Sequence, residues 1–353
     1  MSAADGLVRV LVADDSTTSR ELLVTLLDAE HDIEVVGQAA NGVEAVEMTS
    51  RLRPSVVVMD IHMPVMDGFE ATKRIMIDSP TPVVIVTGVA NARGVEMSLR
   101  AVQIGALTLL PKPPGPDDPH FEVDSRRLVS MVKALSQVRV VRRRRQQVEA
   151  PVYDRAPQPL VARPVEVLAI AASTGGPAAV YRLLERLPRA TRVPVLVVQH
   201  ISEGFSAGLV SWLGSASPLP VKSAEHGEPL VGGVVYVAPD DQHLEVGPER
   251  RAWLTKAPRV DGFRPSATVL FRSVARAYGA CAAGVVLTGM GRDGLEGLTE
   301  LHRVGGRVLA QDEATSVVFG MPGVVVNAGL ADVVAPVEEL ARHLGEVVVR
   351  RSG

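Results

Sequence analysis

The chain has 353 residues, 46% of them hydrophobic, and a formal net charge of -3, a composition that suits two soluble cores. Near-neutral charge and only 3% aromatics argue against nucleic acid as the main ligand. The single cysteine, Cys281, rules out an internal disulfide, and no apolar run is long enough to span a bilayer.

From Leu7 to about Leu110, short β-rich runs alternate with helical patterns. The runs are Val8-Ala13, Ile33-Ala39, Ser55-Asp60, Pro82-Thr87 and Ala106-Leu110. Leu23, Leu26 and Leu27, then Phe69 and Ile75, mark helices between them. This alternation predicts βα units around a parallel sheet buried on both faces. Pro111-Lys112-Pro113-Pro114-Gly115-Pro116 follows, then a helix near Ser125-Gln137. The next segment carries Arg142-Arg143-Arg144-Arg145 and the prolines Pro151, Pro157, Pro159 and Pro164, with no sustained apolar period. It reads as an exposed linker whose arginines are a solvated end, or else a contact for an acidic partner or anionic lipid.

The βα rhythm resumes at Val165 and continues to about Val349. Strand-like runs are Val165-Ala171, Pro194-Gln199, Gly233-Ala238, Gly284-Thr288 and Gly305-Ala310. Pro177 suits the first position of a helix, and Val180, Leu183, Leu184 and Leu187 fall on one helical face. The domains are therefore expected at 7–138 and 164–349, joined by a linker at 139–163. Cys281, in Ala280-Cys281-Ala282-Ala283, reads as a buried core thiol. Met1–Gly6 lacks a basic cluster leading into an apolar core, so no signal peptide is expected, and the cytoplasm is the simplest location.

In the first domain, Asp14, Asp15, Asp60, Thr87 and Lys112 all follow or end predicted strands. In a parallel sheet those ends share one edge, where ligands bind. Crowded carboxylates repel one another, and a divalent ion such as Mg2+ would relieve that. A hydroxyl and a lysine at the same edge could hold a phosphoryl oxygen. With Met59-Asp60-Ile61-His62-Met63-Pro64-Val65-Met66-Asp67-Gly68 and Lys112-Pro113, this set resembles the receiver domain of two-component response regulators, a flavodoxin-like fold. The resemblance implies that Asp60 accepts a phosphoryl group. It implies that Asp14, Asp15, Asp60 and the backbone of His62 hold Mg2+, and that Thr87 and Lys112 read the phosphoryl. Leu109 stands where receivers commonly carry an aromatic switch residue.

In the second domain, Ser173 follows Val165-Ala172, His200 follows Pro194-Gln199, and Asp293 lies in Leu287-Thr288-Gly289-Met290-Gly291-Arg292-Asp293-Gly294. All three sit at strand ends of what reads as one sheet, as a serine nucleophile, its base and an orienting acid require. Ser173-Thr174-Gly175-Gly176 could equally cradle a phosphate or make a plain turn. Walker, Gly-x-Gly-x-x-Gly, Gly-x-Ser-x-Gly and His-Glu-x-x-His patterns are absent.

The whole chain resembles the response-regulator protein-glutamate methylesterases of chemotaxis, the CheB family. The resemblance is carried by Ala171-Ala172-Ser173-Thr174-Gly175-Gly176-Pro177, Val198-Gln199-His200, Tyr236-Val237-Ala238-Pro239, Phe263-Arg264-Pro265-Ser266, the segment around Met290 and Asp293, and Gln311-Asp312-Glu313-Ala314-Thr315-Ser316. It implies a doubly wound, mainly parallel-sheet catalytic domain that hydrolyses glutamate γ-methyl esters on chemoreceptors, and in some members deamidates glutamines. Ser173 is then the nucleophile, His200 the base, Asp293 its orienting acid, Met290 an oxyanion donor through its backbone N–H, and Thr174 an active-site neighbour. Hydrolysis needs no cofactor in this reading. The implied partners are methylated chemoreceptors and a chemotaxis histidine kinase; composition gives no reason to expect nucleic acid or membrane insertion, and a monomer is the default expectation. The unphosphorylated receiver is expected to restrict access to the Ser173 edge. Ala171 replaces the family's usual glycine, and Ile201-Ser202 replaces a common Met-Pro, which suggests a branch serving a different chemosensory array.

Overall fold

The computed structural model describes residues 7–88, 99, 101, 105–138 and 164–348. The chain divides into two compact units between Gln147 and Val148. That point falls inside the expected 139–163 linker, which, with its arginine run, lies outside the described residues.

In the first unit, β1 (Val8–Ala13), β2 (Ile33–Ala39), β3 (Val56–Met59), β4 (Val83–Thr87) and β5 (Thr108–Pro111) form a parallel sheet in the order β2-β1-β3-β4-β5. This is the flavodoxin-like order. β3 and β4 lie in the interior of the sheet, and every residue of both is buried. That is why they read as unbroken apolar runs rather than alternating ones. Helices among the described residues include α1 (Thr17–Asp28), α2 (Gly42–Leu52), α3 (Gly68–Asp78) and α4 (Phe121–Leu135). α1 packs with α4, and α2 with α3, so the sheet is covered on both faces.

Local chemistry starts each helix where the sheet edge needs it. Ser16, Asn41 and Asp67 cap α1, α2 and α3 by accepting the backbone N–H groups of Ser19, Glu44 and Glu70. Glu44 reaches back to the Ala40 N–H at 2.8 Å, a reciprocal cap. α4 begins four residues before the expected Ser125. Its first turn carries Glu122 and Asp124, which favour a helix N-terminus but break the apolar period that marks the rest.

In the second unit a seven-stranded parallel sheet runs β14-β13-β12-β6-β7-β9-β8. Its strands are β6 (Val167–Ala172), β7 (Val195–Gln199), β8 (Val221–Ser223), β9 (Val235–Val237), β12 (Ala282–Val286), β13 (Arg307–Gln311) and β14 (Val333–Ala335). A separate antiparallel hairpin joins β10 (His243–Val246) to β11 (Ala252–Thr255). Sequence periodicity misses β8, β14 and this hairpin because they are too short to show a pattern. Cys281 is half-buried rather than buried, since it stands in the 3₁₀ turn that precedes β12.

The helices are α5 (Gly176–Glu185), α6 (Ser206–Gly214), α7 (Ala267–Tyr278), α8 (Leu295–Arg303), α9 (Met321–Asn327) and α10 (Val337–Val348). α5 packs with α6 and α10, whereas α8 packs with α7 and α9. The chain thus winds outward from β6 through β7, returns to β12 beside β6, and winds outward the other way. The helices after β6 and β12 diverge to opposite faces, which opens a crevice between the carboxyl ends of these two strands. In doubly wound sheets that crevice is where a site is built.

One close approach in the first unit admits only glycine. A Cβ on Gly68 would lie 2.0 Å from the Asp60 carbonyl oxygen. Gly68→Ala is therefore expected to destabilise the first unit by about 1–3 kcal/mol. Chemical denaturation followed by far-UV circular dichroism measures this, and an unchanged midpoint would show that the loop absorbs the methyl group.

Candidate active site and acidic edge

Ser173 directly follows β6. Its backbone N–H donates to the Thr288 carbonyl at 3.0 Å, across the crevice to the segment after β12. Thr288 clamps the turn further: its hydroxyl donates to the Thr174 carbonyl at 2.9 Å, and its N–H donates to Gln311 Oε1 at 2.8 Å. Gln199, the last residue of β7, donates through Nε2 to the carbonyls of both Ser173 (2.8 Å) and His200 (3.0 Å). One buried amide thus ties the residue after β6 to the residue after β7. It fits only because residue 176 is glycine, where a Cβ would lie 2.3 Å from Gln199 Oε1. The Ser173 hydroxyl makes no hydrogen bond among the described residues.

His200 is 8% exposed and Asp293 1%. His200 Nε2 lies 2.8 Å from Asp293 Oδ2. Asp293 also accepts the Ser266 hydroxyl at 2.8 Å, the Ala267 N–H at 2.7 Å and the Thr268 N–H at 2.9 Å. Those three residues form the N-cap and first turn of α7, where aligned backbone N–H groups favour an anion. Burial pushes the Asp293 carboxyl up. The His200 hydrogen bond and charge, with the Thr268 N–H and Ser266 hydroxyl, outweigh it and bring the pKa down to about 2. Asp293 is therefore an anion at any pH near neutrality, and an anion accepts a proton-bearing Nε2. That leaves Nδ1 of His200 with its lone pair. Nδ1 is buried and has no partner. The ring is also held on its face, stacked on Phe263 at 3.8 Å between centroids and 3° between planes.

Met290 lies on the loop between β12 and α8. No acceptor for its backbone N–H is found among the described residues. Thr174 is buried beside Ser173. Ala171 lies within β6, paired to Val198 and Val286, with no positive φ, so its methyl group is tolerated where a glycine is usual. The structure thus brings Ser173, His200 and Asp293 to one crevice, with Thr174 and Met290 in its walls. Phe263, Ser266, Gln199 and Thr288 belong to the same arrangement but were not singled out from the sequence. Each lay in or beside a motif already noted, yet a hydroxyl, an amide or a ring carries no signal of its contact until the fold is known.

At the carboxyl edge of the first sheet, one oxygen from each of Asp14, Asp15 and Asp60 lies within 4.8 Å of the others. Lys112 Nζ bridges Asp14 Oδ2 (2.7 Å) and Asp60 Oδ2 (2.8 Å). Asp14 also accepts the Ser19 hydroxyl at 2.6 Å, and Asp60 Oδ1 accepts the Ile61 N–H at 2.7 Å. Thr87 is buried next to Lys112, whose backbone N–H it accepts at 3.0 Å. His62 is exposed, and its ring lies outside the cluster. Leu109 is buried within β5.

Burial raises the Asp60 carboxyl, Lys112 opposes this, and the Asp14 charge adds to the rise, so the net direction is up. Burial also works against the Lys112 ammonium, but its two carboxylate partners reverse that and raise it. These directions agree once the count is made: one cation serves two buried anions, so the cluster is short of positive charge. An all-oxygen donor set with an exposed member, Asp15, and unmet demand for positive charge fits a small hard divalent cation such as Mg2+.

Comparison with known proteins places both units. A family model described as CheB methylesterase matches residues 168–344, and one described as response regulator receiver domain matches residues 10–123. The chain is similar to protein-glutamate methylesterase/protein-glutamine glutaminase 4 of Myxococcus xanthus (strain DK1622), at 56% identity over 339 residues, 96% of each chain. It is 51% identical over 342 residues to protein-glutamate methylesterase/protein-glutamine glutaminase 3 of Anaeromyxobacter dehalogenans (strain 2CP-C), covering 96% of this chain and 98% of that one. The crystal structure of the Thermotoga maritima CheB methylesterase catalytic domain aligns with a TM-score of 0.51 and 37% identity, covering 52% of this chain and 99% of that one.

The raised Asp60 carboxyl has a thermodynamic consequence. A group whose folded-state pKa lies above its unfolded value holds more protons when folded, so its ionisation costs stability as pH rises through that pKa. In divalent-free buffer at neutral pH, Asp60→Asn is expected to raise the thermal midpoint of the first unit by a few degrees. The gain should shrink as pH falls into the carboxylate range. A pH series of melting curves measures both, and a lowered midpoint at neutral pH would show that the Lys112 pair outweighs burial.

Proposed function

The chain belongs to the CheB methylesterase family, and from that premise we propose that it removes glutamate γ-methyl esters from chemoreceptors by a Ser173–His200–Asp293 mechanism under the control of phosphorylation at Asp60. The observation that carries the reading is the His200 imidazole. Its Nε2 is held by an anionic Asp293, its buried Nδ1 is unpartnered, and its backbone is tied to that of Ser173 through Gln199.

The chemistry follows from that ring. Ser173 Oγ attacks the ester carbonyl carbon as its proton passes to His200 Nδ1. The carbonyl oxygen becomes an oxyanion, and in this reading the Met290 N–H donates to it. One such donor typically contributes about 3 kcal/mol to lowering the barrier. The imidazolium gains its charge against Asp293, which stays ionised and needs no proton of its own. Collapse of the intermediate breaks the C–O bond, and methoxide leaves with the Nδ1 proton as methanol. Water, deprotonated by the same nitrogen, then attacks the acyl-enzyme. It releases the glutamate carboxylate and restores Ser173. The same groups serve a glutamine amide, with ammonia leaving, which the relatives' shared glutaminase designation supports.

In the first unit Asp60 is the phosphoryl acceptor, with a histidine kinase as donor. Asp14, Asp15, Asp60 and the His62 carbonyl would hold Mg2+, which would supply the positive charge that the carboxylates and an incoming phosphoryl group need. Lys112 supplies an ammonium to the phosphoryl group and Thr87 a hydroxyl. Phosphorylation also withdraws an Asp60 oxygen from the Lys112 bridge, which gives the switch a local cause. Among the described residues no helix is long and apolar enough to cross a membrane. We place the reaction in the cytoplasm, on the receptors' cytoplasmic segments.

Methanol release from methylated receptor membranes tests the reading. Ser173→Ala is expected to lower the rate by at least about 10⁴-fold and Asp293→Asn by about 10⁴-fold. A small phosphodonor with Mg2+ should accelerate the wild type and leave Asp60→Asn unchanged. A Ser173→Ala protein that still released methanol would remove the serine mechanism, and a phosphodonor response in Asp60→Asn would remove the proposed switch.

A further inference from the structure

His243 opens β10, is fully buried, and takes no part in the chemistry above. Its two ring nitrogens do opposite things. Nδ1 lies 3.2 Å from the Ser266 backbone nitrogen, which can only donate, so Nδ1 is the acceptor. The ring proton is then on Nε2, which donates to the Pro258 carbonyl at 3.2 Å. One neutral imidazole therefore pins both ends of the loop 259–265.

What that loop carries gives the contact its meaning. Phe263, near its end, supplies the ring stacked on His200. Ser266, Ala267 and Thr268, directly after it, supply three of the four donors to Asp293. The His200 imidazole is thus supported on its edge through Asp293 and on its face by Phe263. Both supports hang from the segment that His243 fixes. Arg264 adds a second anchor across the same loop: its guanidinium donates to Asp241 at 2.6 Å and to the Lys256 (3.1 Å) and Ala257 (3.0 Å) carbonyls. That anchor is part-exposed, whereas His243 is fully buried and is the one of the two that bonds the Ser266 N–H at the start of α7.

We infer that His243 is a positioning residue for ester hydrolysis. It sets the Ser266 N-cap, and through it the orientation of Asp293 and His200, without touching substrate. This inference rests on the Ser173–His200–Asp293 reading. It also explains why a fully buried histidine stands at the mouth of a hairpin whose neighbours could be aliphatic. A small rotation of Ser266 redirects its hydroxyl away from Asp293 Oδ1, and misplacement of a catalytic base by about 1 Å can cost about 10²-fold in rate.

The test uses the full chain with His243→Leu, which removes both contacts, and His243→Asn, which keeps an acceptor at the Nδ1 position. Three quantities are read: kcat and KM for methanol release, the melting midpoint, and the downfield proton resonance that His200→Gln abolishes. For His243→Leu, kcat should fall by about 10- to 100-fold with KM nearly unchanged, and the downfield resonance should shift or broaden. His243→Asn should recover most of kcat. A folded His243→Leu with wild-type kcat and an unmoved resonance overturns the inference, as does His243→Asn doing no better than His243→Leu. If His243→Leu does not fold, the comparison passes to His243→Asn against His243→Gln, whose amide reaches the Nε2 position instead. Asn above Gln supports the assignment, and equality overturns it. A wild type that releases no methanol refutes the hydrolase reading, while the resonance still decides whether His243 positions His200.

Discussion

A buried carboxylate kept ionised is the constraint on which the second unit depends. Asp293 loses its water to the core and regains partners from one histidine and the first turn of α7. Without those donors, burial would raise its pKa and a neutral acid would face His200. With them it is an anion, and the anion selects the tautomer of the imidazole. That choice leaves Nδ1 free. It also sets a condition on the fold: α7 must end its approach with its N-terminus aimed into the crevice, and Ser266 must hold its cap.

The winding of the sheet supplies the other half. β6 and β12 are neighbours whose following helices leave toward opposite faces, so their carboxyl ends diverge and leave room. Ser173 and the Met290 loop occupy that room from either side. The N–H of Ser173 donating to Thr288, and Gln199 holding two carbonyls at once, bind three successive strand ends together. Such a frame keeps reacting groups in place without strain at the nucleophile itself.

The first unit poses the opposite electrostatic problem. There a single Lys112 serves two buried carboxylates, and the deficit is left open. An edge short of positive charge fits the Mg2+ site that a receiver domain implies. Asp293 in the second unit is supplied with four hydrogen-bond donors; the acidic edge of the first has one lysine for two buried carboxylates.

The alternation of apolar runs and helical faces, read without any structure, was enough to specify two parallel α/β units. It also put Asp14, Asp60 and Lys112 on one edge and Ser173 and His200 on another, because side chains that directly follow parallel strands must share an edge, with Asp293 on the loop that leaves the same edge after β12. Short motifs around those strand ends carried the family resemblance. The supports of the site were not legible in this way. His200 meets Asp293 across 93 residues, and Phe263, Ser266 and His243 reach the pair from a hairpin and a loop with no periodicity. Which imidazole nitrogen faces Asp293, and which is left without a partner, also depended on packing. Strand ends are local facts, determined by the spacing of residues along the chain. The direction in which a ring or a carboxylate points is decided by contacts between distant segments, and only the folded sheet brings those segments together.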